Sequence, residues 1–287
     1  MYDDSLHDAL MSSIPEIKIR PFLKWAGNKF RCLNHILPRL PAKHRLIEPF
    51  AGSGAIFLNT HYNEYILNDK NPDLIQLYVH LKEYHHDFIN YCASWFKPAN
   101  NQKEIFYRMR QQFNECQDPL LRSALFLYLN RHGYNGLCRY NLKGQYNVPF
   151  GRYILPYFPR KELECFVKKS HQAHFTQDDF MEVFKHTQIG DVIYCDPPYA
   201  PLSRTANFTT YTKGNFLETE QKKLLKCAQD ACQKGVHVII SNHDTDYTRQ
   251  LYRDAHEIHS FPVARTIACQ GKKRVPVMEL LVYYKPN

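Results

Sequence analysis

No two cysteines of this chain have the C-x-x-C spacing, and the nine that occur are scattered and odd in number. A zinc ribbon and a disulfide framework are both disfavoured, and free thiols in a reducing compartment are the economical reading. No run approaches the roughly 20 consecutive apolar residues that a membrane span requires, so no membrane partner is expected. The opening MYDDSLHDALMSSIPEIKIR lacks the basic start and apolar centre of a secretory signal, and a cytoplasmic location follows as the expectation. The phosphate-cradling G-x-x-x-x-G-K-[ST] loop is missing, and so is a complete G-x-G-x-x-G. Histidine is plentiful at 15 residues, yet the adjacent His85 and His86 fall in a polar helical stretch where neighbouring side chains diverge, so no metal is expected. Acidic residues are in deficit: 28 against 37 Lys and Arg give a net charge of +9 and a pI near 9.0. The basic residues are spread through a folded sequence and form no amphipathic basic helix, which favours a polyanionic partner such as nucleic acid over a membrane surface.

What is present is an alternation. Apolar, β-branched runs at RLIEPF (45–50), EYILND (64–69), DVIYCD (191–196), VHVIIS (236–241) and MELLVYY (278–284) are strand-like, and ETEQKKLLKCAQDACQKG (218–235) has helical periodicity closed by glycine. Such alternation predicts an α/β sheet with helices on its faces. From about Asn71 to Phe158 the pattern is helical, which marks an insert. The 287 residues therefore divide into an extension at 1–19, an α/β unit from 20–71 and 160–287, and an inserted unit at 72–159.

LIEPFAGSGAIFLN (46–59) has the order strand, glycine turn, helix. Gly52 and Gly54 let backbone approach a ligand closely, as at the first turn of a Rossmann-like sheet. Asp69 closes the next strand, where an acid commonly takes ribose hydroxyls. Together they suggest a nucleoside without phosphates, although a lone G-x-G is equally an ordinary strand-to-helix turn. In PFLKWAGNK (21–29), the Trp25 ring beside a glycine is suited to cover an adenine or a sulfonium, or else is simply buried.

VIYCDPPYAPLSR (192–204) carries the chemistry. Asp196 stands at the carboxyl end of a strand, where ligands of open α/β sheets sit. Pro197 and Pro198 lack N–H groups and hold an extended path, leaving carbonyls free to accept from outside. A carboxylate beside a rigid carbonyl suits a planar NH₂ group, and the Tyr199 ring can stack on the heterocycle that bears it. Two acceptors on one aromatic amine aim its lone pair, and the carboxylate stabilises the positive charge that develops on methyl transfer. Cys195 alternates to the other strand face and is expected in the core.

The order KWAGNK, EPFAGSG, a long insert and DPPY resembles the amino-group DNA methyltransferases. FLYLNRHGYNGLCRYNLKGQYNVPFGRY (126–153), APLSRTANF (200–208), SNHD (241–244) and ELLVYYKP (279–286) make it similar to the Dam-type DNA adenine-N6 methyltransferases over residues 20–286. The resemblance implies a Rossmann-like methyltransferase sheet with a mostly helical DNA-recognition insert carrying a β-hairpin. It implies S-adenosylmethionine as donor, S-adenosylhomocysteine as product, and the adenine of GATC in duplex DNA as target, flipped out of the stack. It puts the cofactor at Trp25, Lys29, Phe50, Gly52, Gly54, Asp69 and Asp196, and catalysis at Asp196, Pro197 and Tyr199. A monomer is expected. The biological role, whether mismatch-repair marking, replication timing, gene regulation or restriction protection, stays open, because all of these use the same chemistry.

The glycines and asparagines of 133–153 signal turns and a β-hairpin able to enter a major groove. Arg139 has the geometry for guanine O6 and N7, and Tyr134 or Leu137 can wedge against bases, although an exposed turn with cation–π pairs has the same composition. The resemblance implies guanine reading by Arg139, insertion by Tyr134, further contacts at Asn135, Leu137, Pro149, Arg152 and Tyr153, and Lys24 near the flipped base. Asn28 departs from the glycine often found in its motif, and the DNA role of the basic, glycine-containing loop 265–277 stays open. Three rivals are a methyltransferase of RNA or protein amides, a silent DNA-binding module and a nicotinamide oxidoreductase. Asp196 and the glycine loop, the D-P-P-Y order and the basic insert disfavour them.

Overall fold

The computed structural model describes residues 18–200, 216–263 and 277–286. Nearly all of the extension at 1–19, most of APLSRTANF and nearly all of the loop 265–277 lie outside the described residues. Seven strands form one sheet in the order β3-β2-β1-β4-β5-β7-β6. They are β1 (Arg45–Glu48), β2 (Glu64–Asn68), β3 (Ala173–Thr176), β4 (Val192–Cys195), β5 (His237–His243), β6 (Glu257–Val263) and β7 (Val277–Tyr284). The first five are mutually parallel, and β7 runs antiparallel between β5 and β6. This is the expected Rossmann-like sheet.

Successive side chains point to opposite faces. Leu46, Tyr65, Leu67, Val192 and Tyr194 join one buried cluster, while Ile47, Ile193 and Cys195 join the other. Cys195 is fully buried, as its alternation required.

The helices are α1 (Leu33–Ile36), α2 (Ala55–Leu58), α3 (Pro72–Ala93), α4 (Lys103–Glu115), α5 (Pro119–His132), α6 (Arg160–Ser170), α7 (Phe180–Lys185), α8 (Glu218–Gln233) and α9 (Asp246–Leu251). Asn71 caps α3 by accepting from Asp73 and Leu74 N–H, and Asp118 caps α5 by accepting from Leu120 and Leu121 N–H. The 22 residues of α3 are interrupted at His85, where φ is 48°. Phe106, Phe113, Leu127 and Tyr146 of the insert share one buried cluster with Leu46 and Tyr65 of the sheet, so the core runs unbroken across residue 71.

After α5 the chain folds back as a loose antiparallel loop, bridged at Gly133 with Phe150 and at Tyr140 with Tyr146. Its tip turns at Asn141, whose side chain accepts from Lys143 and Gln145 N–H.

Two strands escape the pattern of the sequence. In β3 only Ala173 of AHFT is buried, and edge strand β6 carries polar residues and Pro262 without a fully apolar face. An edge strand needs little burial, so its periodicity is weak.

Candidate active site

Because β1, β2, β4 and β5 are parallel, their carboxyl ends open on one side of the sheet. The antiparallel β7 delivers the start of its run there as well, since Glu279 pairs with His243. Around these ends lies a cleft of about 1500 Å³. Trp25, Lys29, Phe50, Gly52, Asp69, Asp196, Pro197 and Tyr199 all line it, although they span most of the chain.

The glycine turn is held from three sides. Gly52, at φ 48°, donates its N–H to Asp69 Oδ2 at 3.0 Å, and its carbonyl accepts from Tyr78 Oη at 2.5 Å. A Cβ on Gly52 would lie 3.0 Å from Trp25 Nε1, so the indole rests directly on the glycine backbone. Gly54, also at positive φ, lies behind the turn, where an added Cβ would meet Phe57 and Tyr78. Asp69 takes a second bond from Asn71 N–H at 2.9 Å, and burial outweighs both bonds to raise its pKa. Phe50 packs with Phe180 and Phe216.

Glu48, which the sequence reading missed, is buried at the end of β1 and accepts from Phe57 N–H at 2.9 Å. Burial pushes its carboxyl up to about 8. Asn28 accepts from Phe30 N–H at 2.8 Å and so caps the single turn that carries Lys29.

Lys29 is 5% exposed and pairs with Asp196 Oδ1 at 2.9 Å, while also donating to the Gly27 carbonyl at 2.7 Å. Burial alone would lower its pKa, but Asp196 and then Glu279 outweigh burial and hold it above the usual lysine value. Its ammonium also sits 4.5 Å from the Tyr199 ring centroid. That ring thus has a cation near one face and the His243 ring edge-on at 4.8 Å. The Tyr199 hydroxyl is tied to Glu279 Oε2 at 3.0 Å, and burial drives its pKa well up.

Ser241 donates to the same Asp196 Oδ1 at 3.1 Å. Among the described residues no donor reaches Asp196 Oδ2 or the Pro197 carbonyl, which leaves two open acceptors at the cleft wall. The Pro198 carbonyl accepts from Gln221 Nε2 at 3.0 Å, a donor 23 residues away and outside any local turn. The donor arrives from α8, which sequence periodicity could not place beside residue 198. Glu279, Ser241 and Gln221 were likewise invisible as site residues; SNHD and ELLVYY stood out only as motif text.

The expected DNA-contacting residues divide. Lys24 and Asn135 line the cleft. The Lys24 ammonium lies 3.6 Å from the Tyr153 ring centroid and 3.2 Å from the Arg131 carbonyl, and burial followed by the Arg131 charge lowers its pKa to about 8. Tyr134, Arg139 and Arg152 are exposed, whereas Leu137, Pro149 and Tyr153 are half-buried. Arg139 Nε donates to Asn147 Oδ1 at 2.8 Å, so the guanidinium is folded along its own loop.

Residues 25–267 match the family model of the D12 class N6 adenine-specific DNA methyltransferases. The chain belongs to that family. This D12 class enzyme is 48% identical to the DNA adenine methylase of Salmonella typhi over 94% of its own length and 97% of the relative. It is 48% identical to the DNA adenine methylase of Vibrio cholerae O395, over 94% and 98%, and 47% identical to that of Escherichia coli K12, over 94% and 97%. Among its described residues no group of three His, Cys, Asp or Glu side chains is placed to hold a metal, and no helix is long and apolar enough to cross a membrane.

Proposed function

We propose that this D12 class enzyme moves the methyl group of S-adenosylmethionine onto N6 of the adenine in GATC duplexes, with the base turned out into the cleft and S-adenosylhomocysteine as product. The observation that carries the reading is the pair Asp196 Oδ2 and the Pro197 carbonyl, which no donor reaches among the described residues, on the wall of the cleft that also holds Trp25, Gly52 and Asp69. The residues present fit the donor. Gly52 lets the Trp25 indole lie directly on the backbone of the turn, the half-buried ring offers an aromatic face, and Asp69 keeps acceptor capacity for ribose hydroxyls. Bound there, S-adenosylmethionine supplies a methyl group on a positively charged sulfur.

The chain's own part is alignment and electrostatics. Asp196 and the Pro197 carbonyl accept the two N6 hydrogens, turning the lone pair out of conjugation and along one line. As positive charge grows on N6, the Asp196 carboxylate stabilises it. Lys29, through Asp196 Oδ1, fixes the carboxylate so that Oδ2 faces the amine, and Glu279 holds Tyr199 by its hydroxyl so that the ring borders the base.

Reaching N6 in a duplex costs a few kcal/mol of unstacking. The proposed division of labour gives 20–71 and 160–287 the chemistry, and gives 72–159 the recognition, with Arg139 on guanine, Tyr134 inserted, and Lys24, Asn135, Leu137, Pro149, Arg152 and Tyr153 around them. The net charge of +9 supports the phosphate contacts that such work at the nucleoid requires. Acceptor pair and recognition loop come from one chain, so a monomer suffices.

The test is transfer from labelled S-adenosylmethionine to two duplexes differing only in GATC against GTAC, with Asp196→Ala as the control. Transfer to GATC alone is expected. Transfer to both duplexes overturns the recognition assignment, and strong turnover by Asp196→Ala overturns the mechanism.

A further inference from the structure

The segment from Asp196 to Ala200 is clamped by a chain of buried amides whose direction the backbone dictates. Ala200 N–H and His243 N–H are fixed donors, and both point at Asn242 Oδ1, at 3.0 and 2.9 Å. The Asn242 amide therefore has one orientation, with Nδ2 turned to Gln221 Oε1 at 3.0 Å. Tyr252 donates its hydroxyl to the same Oε1 at 3.2 Å. With Oε1 receiving two donors, Gln221 Nε2 has to donate, and it does so to the Pro198 carbonyl, a pure acceptor, at 3.0 Å. Gln221 and Asn242 are 1% and 0% exposed, so both side-chain amides take their partners from the protein.

We infer that Gln221 is a positioning residue for methyl transfer: by binding the Pro198 carbonyl it fixes the peptide that aims the neighbouring Pro197 carbonyl at the target amine. The inference rests on the catalytic reading of Asp196 and Pro197 given above. Neither proline brings an N–H with which to anchor this stretch. Its hold comes from Ser241 on Asp196 and the Cys195 carbonyl, from Asn242 and His243 on Ala200, and from Gln221 in between. Among the described residues, only the Gln221 bond falls on a proline carbonyl itself. Because α8 brings Gln221, the helix that follows residues 201–215 is coupled to the acceptor pair. The donated proton decides the effect, not bulk: a side chain of the same shape that cannot donate leaves two carbonyl oxygens facing each other.

Gln221→Glu tests this. A neutral glutamic acid keeps both roles, accepting at one oxygen and donating from the other, whereas the carboxylate can only accept. Single-turnover methylation of a GATC duplex by Gln221→Glu should match wild type at low pH. It should then fall by about 10- to 100-fold relative to wild type as pH rises, the scale of an ångström-sized misplacement. Binding of S-adenosylhomocysteine, measured separately, should stay within twofold. Gln221→Leu, which never donates, should be slow at every pH with the same cofactor binding. A Gln221→Glu rate that tracks wild type across the pH range, or a Gln221→Leu rate equal to wild type, overturns the inference, as does loss of cofactor binding in step with rate. If Gln221→Glu does not fold, a Gln221→Leu enzyme that folds and turns over normally still refutes it. Full activity of Asp196→Ala would instead overturn the catalytic reading and leave the two failures distinct.

Discussion

Replacing Gly52 by alanine probes the floor of the cleft with a single methyl group. The backbone there has φ 48°, where an L side chain costs about 1–2 kcal/mol. Relaxation is blocked at both ends of the residue, because its N–H is held by Asp69 at 3.0 Å and its carbonyl by Tyr78 at 2.5 Å. The new Cβ would stand 3.0 Å from Trp25 Nε1 and 3.2 Å from Cδ1, so the indole must shift by a few tenths of an ångström. That ring is the proposed aromatic wall for the cofactor. Gly52→Ala should therefore lower the melting temperature by roughly 2–6 °C. It should also weaken S-adenosylhomocysteine binding about tenfold, the equivalent of ~1.4 kcal/mol. Calorimetric titration of S-adenosylhomocysteine and fluorescence anisotropy with a labelled duplex separate the two ligands. DNA affinity without cofactor should hold, since the proposed recognition residues Tyr134, Arg139 and Arg152 are exposed and do not line this cleft. Unchanged S-adenosylhomocysteine affinity in a destabilised variant would make Gly52 purely structural, and an equal loss of DNA affinity would refute the local reasoning.

Arg139→Ala should cost on the order of 1–3 kcal/mol of discrimination at one guanine of the site, read as the ratio of kcat/KM for GATC to single-base variants; an unchanged ratio removes Arg139 as the reader. Glu48, raised from an ordinary 4.5 to about 8 by burial, binds its proton more tightly folded than unfolded. Its contribution to stability is thus complete below pH 4.5 and is lost as pH rises through 8. Glu48→Gln keeps the acceptor for Phe57 N–H without titrating, so its melting temperature should fall less steeply across that window, and parallel curves for the two proteins would contradict the assignment. Arg45 grips Asp191 through two bonds, of 2.9 and 2.7 Å, at the opposite ends of β1 and β4 from the cleft. Arg45→Met should cost about 3 kcal/mol in urea unfolding by stranding a buried carboxylate while kcat stays as in wild type; a tenfold loss of kcat would show coupling across the sheet.

The sequence by itself determined the central strands, because runs such as VIYC and HVIIS must be buried on both faces and no other arrangement satisfies them. It also determined the glycine turn and the DPPY corner, where residue type alone restricts the backbone: positive φ at Gly52, no N–H at Pro197 and Pro198. Edge strands β3 and β6 carried too little burial to leave a pattern. The partnerships within the site were decided only by tertiary structure. Lys29 meets Asp196, Tyr199 meets Glu279, and Gln221 meets Pro198 across separations of 167, 80 and 23 residues. Local periodicity has no term for such pairs. They arise because parallel strands open their carboxyl ends on one side, the antiparallel β7 returns Glu279 to that same edge, and a buried polar group must find a partner wherever the fold brings one.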